Sequence, residues 1–163
     1  QTLLEVSREV QAEGWTFNKE YHYPMTRDTN KHILIPTNML QIDATNNAAN
    51  VELDTVRRDG KLYDRAHHTF IFDQDIECDI VWQFDWIDLP KPIADFITSR
   101  SAAITSMRII GDTNQYQMLQ QKEAFTRAMA MEYECNQGDY TFFGHGGDTN
   151  SYISYQPYKA LTR

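Results

Sequence analysis

The chain has 163 residues, 41% hydrophobic and 12% aromatic, which supports one domain with a real core, or a domain with an arm. Fifteen Lys and Arg stand against 23 Asp and Glu, and the net charge of -8 excludes a protein that grips phosphates by counterion release. No run approaches the ~18 consecutive apolar residues of a membrane span, and the first ten residues lack the pattern of a signal peptide, so the chain reads as soluble.

The chain opens without methionine and already in helical period, so its natural start is expected upstream. Leu3, Val6 and Val10 recur at helical spacing, and Gly14 supplies the positive φ that closes such a helix, predicted over residues 1–13. A β region follows over 15–86. Short β-prone runs at 15–18, 21–25, 33–35 and 39–42 are separated by Pro24, Pro36 and polar residues. Residues 51–58 and 61–65 flank Asp59-Gly60, the two-residue signal of a hairpin with right-handed twist. The longest predicted strand covers 76–86, with Ile76, Cys78, Ile80, Trp82, Phe84 and Trp86 on one face and Glu77, Asp79, Gln83 and Asp85 on the other. Only Val81 breaks the alternation. At ~3.3 Å per residue it would span about 36 Å, with the half-wet face of an antiparallel sheet.

Helical period returns at 90–110, where Asp88 is placed to cap and Ile93, Phe96, Ile97, Ile104 and Met107 form a stripe. Gly111 ends it. Asp112 and Thr113 are candidate caps of a second helix, 113–137, with Met118, Phe125, Met129 and Tyr133 on one face. The two helices are expected to pack antiparallel, close together through Ala, Ser and Thr. The fold class is therefore α+β: antiparallel helices in a small bundle with an inserted antiparallel β region. Residues 1–137 form that domain, and 138–163 form an extended C-terminal arm. The arm is too polar for a core of its own and too aromatic for a simple linker, so it is expected to order against a partner. Trp15, Phe17, Trp82, Phe84, Trp86, Phe96 and Phe125 are assigned to the core.

Chemistry-bearing patterns are weak. Asp73, Asp75, Glu77 and Asp79 alternate as in a calcium loop, but Cys78 and Phe84 occupy the positions that need glycine and a bidentate glutamate. The same acids are candidates for a glycosidase pair, though a chain with 23 acids always supplies such pairs. His67 and His68 are adjacent and, on a strand, point to opposite faces; a metal site would need His22 or His32 beside them. The glycines around His145 lack the residues of a phosphate loop or nucleophile elbow. Cys78 and Cys135 have no metal spacing and read as small hydrophobes in a reducing compartment. No cofactor, metal or catalytic residue is assigned.

The order of the pieces is nevertheless specific. A helix ending in Gln11-x-x-Gly14-Trp15-x-Phe17-Asn18 precedes the β region and Leu62-Tyr63-Asp64-Arg65. Asp88-Leu89-Pro90, the helix of Ile93 to Ala103, an acidic helix ending in Gly138-Asp139-Tyr140, and a terminal Leu161-Thr162-Arg163 follow. Together these resemble tail tubular protein A, the head-to-tail adaptor of short-tailed phages, over nearly the whole chain. Members of that family carry a further helical segment before the position of Gln1.

The resemblance implies a structural virion protein made in the host cytoplasm and placed at the head-tail junction. It implies a twelve-fold homo-oligomeric ring between the portal and a nozzle of tail tubular protein B, with tail fibres attached nearby. Double-stranded DNA would pass through the ring during ejection without specific binding, and no membrane is involved. An acidic lining suits that passage, because like charge repels the duplex and lets it slide. Tyr140, Phe142, Phe143, Tyr152, Tyr155, Tyr158 and Arg163 are the expected contacts to the portal or a neighbouring subunit. The alternatives are a tail-associated polysaccharide hydrolase and a protein-binding module with no viral role.

Overall fold

The computed structural model describes residues 1–45 and 53–138. Helix α1 (Thr2–Gln11) leads into strands β1 (Lys19–Met25), β2 (Met39–Ala44), β3 (Thr55–Arg58), β4 (Lys61–Asp64) and β5 (Ile76–Trp82), then helices α2 (Lys91–Ile109) and α3 (Thr113–Gly138). This is the expected α+β arrangement, with an antiparallel β region inserted between helices.

The main sheet has the order β1-β5-β2, all antiparallel, and β3 and β4 form a separate two-stranded hairpin. Asp59 and Gly60 join β3 to β4 with φ of 51° and 69°, the double positive φ that a right-twisted two-residue turn requires. β5 is the central strand, and on its inner face Ile76, Cys78 and Ile80 are essentially inaccessible. Pro24 has no N–H to give a ladder, and it lies in the edge strand β1, where that loss is tolerated. The inner face packs with Met25, Ile33, Ile35, Met39, Leu62 and Phe72 into one core.

A second core lies under the helices, from Val6, Val10, Trp15, Leu89, Ile93, Phe96, Ile97 and Ala130. Ion pairs Glu9–Arg100 at 2.8 Å and Glu5–Arg108 at 3.8 Å join early α1 to late α2, so these helices run antiparallel. Helix α2 ends where the Ile110 and Gly111 amides both donate to the Ser106 carbonyl, with Gly111 at φ 69°. Asp112 then accepts from the Asn114 amide at 2.9 Å and opens α3.

Several sequence expectations need correction. The long strand stops at Trp82, because the Phe84 amide is taken at 2.7 Å by the Gln11 side chain and Trp86–Asp88 turn into a 3-10 helix. Trp86 is consequently 46% exposed and is not a core residue. Val81 is buried on the otherwise wet face because the Gly14 turn lies over it; a Cβ on Gly14 would meet Val81 Cγ2 at 3.4 Å. Asp88 does not cap α2, whose N-cap position is Pro90 with no side-chain hydrogen bond. Residues 15–18 form a turn, and 33–35 contribute one isolated bridge at Leu34. Met107, expected on the buried stripe of α2, is 57% exposed. The largest departure is α3: Met118, Phe125 and Met129 face out at 72%, 67% and 44% exposure. Its inward positions are instead Leu119, Glu123, Thr126, Ala130 and Glu134.

Candidate assembly surface

The two most specific sequence segments are structural joints. Trp15 donates from Nε1 to the Val10 carbonyl at 2.7 Å, and its amide donates to Asn18 Oδ1 at 2.8 Å. Asn18 Nδ2 donates to the carbonyls of Gln11 (2.8 Å) and Trp82 (2.7 Å), so one buried amide ties α1, the turn and β5 together. From α3, the Glu134 carboxylate accepts from the Thr16 amide at 3.0 Å and from Thr16 Oγ1 at 2.6 Å. Helix, sheet and helical hairpin thus meet at residues 11–18. Phe17 and Phe84 sit half-buried at this joint with ring centroids 6.1 Å apart.

The Tyr63-Asp64-Arg65 segment shapes the loop after β4. Asp64, 2% exposed, accepts from the Ala66 amide at 2.9 Å and lies 2.6 Å from His67 Nδ1. Burial raises its pKa, but the hydrogen bonds from His67 and the backbone amides outweigh this and hold it below the ordinary 3.8. Arg65 pairs with Asp54 at 2.7 Å, and Tyr63 lies between Phe70 and the Arg58 guanidinium.

The acidic run is distributed among separate partners. Asp73 pairs with Lys31 at 2.9 Å, Asp75 with Arg27 at 3.0 Å and Glu77 with His22 at 3.2 Å, while Asp79 accepts from Thr45 Oγ1 at 2.7 Å. The Lys31 hydrogen bond holds Asp73 low, and the Arg27 amide and guanidinium do so for Asp75. His67 faces Asp64, His68 takes a positive φ of 55°, and His32 lies near Lys61, so the histidines among the described residues do not converge. Among the described residues no three His, Cys, Asp or Glu side chains are placed to hold a metal ion. A cleft of about 520 Å³ beside β2 and β3 is lined by Lys19, Asp43, Asp54, Arg65 and Asp79. Its Arg65–Asp54 pair is internally satisfied.

What stands out is apolar surface left exposed among the described residues. At the far end of the helices Leu4, Met107, Ile109 and Ile110 are 73%, 57%, 77% and 59% exposed. The stripe of Met118, Phe125 and Met129 continues along the outer side of α3, and Ile87, at 89%, projects from the 3-10 turn before α2. Large apolar side chains that repeat along the outer face of a helix form a surface suited to a neighbouring element. The sequence signal was present: Met118, Phe125 and Met129 share a face, but Leu119, Ala130 and Glu134 define the one that meets α2. The anticipated contacts Tyr140, Phe142, Phe143, Tyr152, Tyr155, Tyr158 and Arg163 lie outside the described residues. So does the glycine segment around His145.

A domain with tightly hydrogen-bonded internal joints, dispersed acids and a bare apolar helical hairpin has the features of an assembly subunit. The chain belongs to the tail tubular protein family, which matches residues 1–140. It is therefore a structural component of a phage tail. No curated protein matches it.

Proposed function

We propose that this tail protein is the subunit of a ring-forming adaptor at the head-tail junction, joining the portal to a nozzle of tail tubular protein B and surrounding the DNA exit path. The observation that carries this reading is the apolar outer stripe of α3 together with the uncovered end of α2, a surface that calls for neighbours on more than one side. The net charge of -8, multiplied around a ring, would give a lining that repels the duplex and lets it slide. Tail fibres would anchor on the outside of the same ring.

Residues 138–163 are proposed as an interaction arm, with Tyr140, Phe142, Phe143, Tyr152, Tyr155, Tyr158 and Arg163 as its contacts to the portal or to a neighbouring subunit. Tyrosine and phenylalanine offer large, rigid contact area at low entropic cost. The test is to mix the chain with its portal and measure the mass of the complex. A single species with a fixed number of copies supports the adaptor; a chain that stays monomeric beside an intact portal refutes it. Deletion from Gly138 onward should abolish portal binding with circular dichroism nearly intact, and unchanged binding would remove the arm from the proposal.

A further inference from the structure

We infer that the 3-10 turn at Trp86–Asp88 of one copy docks on the outer stripe of α3 of a second copy, as a head-to-tail contact. The inference rests on the ring reading above and names the surfaces that would build it.

The first surface is a small plug. Trp86 and Ile87, 46% and 89% exposed, project together from a turn held by the Asp88 amide donating to the Asp85 carbonyl at 3.0 Å. Leu89, directly after it, is anchored in the helical core, so the plug stands on a fixed base. Two exposed acids, Asp85 and Asp88, bracket the apolar pair. Neither side chain forms an ion pair among the described residues.

The second surface is its chemical complement. Met118, Lys122, Phe125 and Met129 follow one another at spacings of four, three and four, which places them on one face of α3. Phe125 and the two methionines are apolar and adaptable, and Lys122 is an exposed cation in their midst. Lys122 also forms no ion pair among the described residues.

The larger charge distribution does not oppose this contact. Residues 15–88 carry 13 acids against 7 basic residues, whereas the helical hairpin, residues 91–138, carries 5 of each. The acidic β region of one copy therefore meets no net like charge on the hairpin of another, and the attraction is local, between Asp85 and Asp88 on the plug and Lys122 in the stripe. A second copy of the same chain supplies both partners at once.

The two surfaces lie on different elements of one molecule: the plug precedes α2, whereas the stripe starts at Met118 near the beginning of α3 and runs back along α2, where Arg127 covers Phe96 at 5.3 Å. A contact between unlike patches is heterologous, and repeated, it closes into a ring when the rotation between copies allows.

This geometry gives a test that few other arrangements mimic. Ile87→Asp disables the plug and leaves the stripe; Phe125→Asp disables the stripe and leaves the plug. Both positions are exposed, so circular dichroism and melting temperature should match the unaltered chain. By light scattering on a sizing column, the unaltered chain at high concentration should form a closed oligomer and each variant alone should be monomeric. Mixed in equal amounts, the two variants should form a heterodimer and stop there, because the remaining plug and stripe are both disabled. Lys122→Glu should weaken the oligomer, and Asp85→Lys with Asp88→Lys in the same chain should restore it. Rings that survive both aspartate substitutions would overturn this pairing while leaving the ring itself standing. Monomeric variants that fail to pair on mixing would also overturn it. An unaltered chain that stays monomeric throughout would overturn both the pairing and the ring.

Discussion

Replacing Asn18 with alanine should destabilise the whole domain, because this one side chain closes three hydrogen bonds in a site 1% exposed. The substitution leaves the Trp15 amide and the Gln11 and Trp82 carbonyls facing a small apolar group where water has little room. A typical buried hydrogen bond contributes about 1 kcal/mol, and an abandoned polar partner costs about 1 to 3 kcal/mol. Water reaching part of the vacated space offsets some of this, so the expected loss is about 3 kcal/mol. For a domain of this size each kcal/mol moves the melting temperature by about 2 to 4 °C, so the expected fall is about 6 to 12 °C. Thermal melting followed by circular dichroism at pH 7 reads it directly. Asn136→Ala, on the exposed side of α3, serves as the control with no expected shift. If Asn18→Ala melted within about 2 °C of the unaltered chain, the view of residues 11–18 as the joint of the fold would be wrong.

Three further outcomes are expected. Phe96→Ala should cost about 3 to 5 kcal/mol in denaturant unfolding because the ring is fully buried, whereas Phe125→Ala should stay within about 0.5 kcal/mol of the unaltered monomer. Asp64 has a lowered pKa, so its contribution is present above the ordinary 3.8 and is lost as pH falls through the still lower folded value. Asp64→Asn should accordingly flatten part of the acid limb of the stability profile, and an unchanged limb would contradict the role given to its hydrogen bonds. A thiol reagent should label one cysteine in the folded chain and two in denaturant. Cys135 is exposed, while burial pushes the Cys78 thiol up to about 12, with Asp79 and Asp43 adding to it.

Much of the architecture was legible because local chemistry and tertiary context agree there. Asp59-Gly60 specifies its turn by backbone sterics alone, and β3 and β4 pair in the register that follows. Gly111 and Asp112 mark a helix end and a helix start by the same kind of local rule. The alternation of Ile76, Cys78 and Ile80 identified the buried face of β5, since period two requires no knowledge of the partner strand.

Other features were decided only by tertiary contacts. Alternation continued to Trp86, but the Gln11 side chain, 73 positions away, takes the Phe84 amide and ends the strand's claim on it. No local window contains that competitor. Nor does periodicity say which of two stripes on α3 meets α2. Ala130 and Glu134 win the inner face because a small residue permits close approach and a carboxylate can be satisfied by Thr16. Met118, Phe125 and Met129 are left facing outward for the same reason. The sequence by itself determined the α+β class, the hairpin, the helix boundaries and the sign of the charge, all of which follow from residues near one another or from composition. Tertiary structure alone decided which face of α3 meets α2, because the more hydrophobic face is the outer one and only close approach at Ala130 and the Thr16 partner of Glu134 select the inner one.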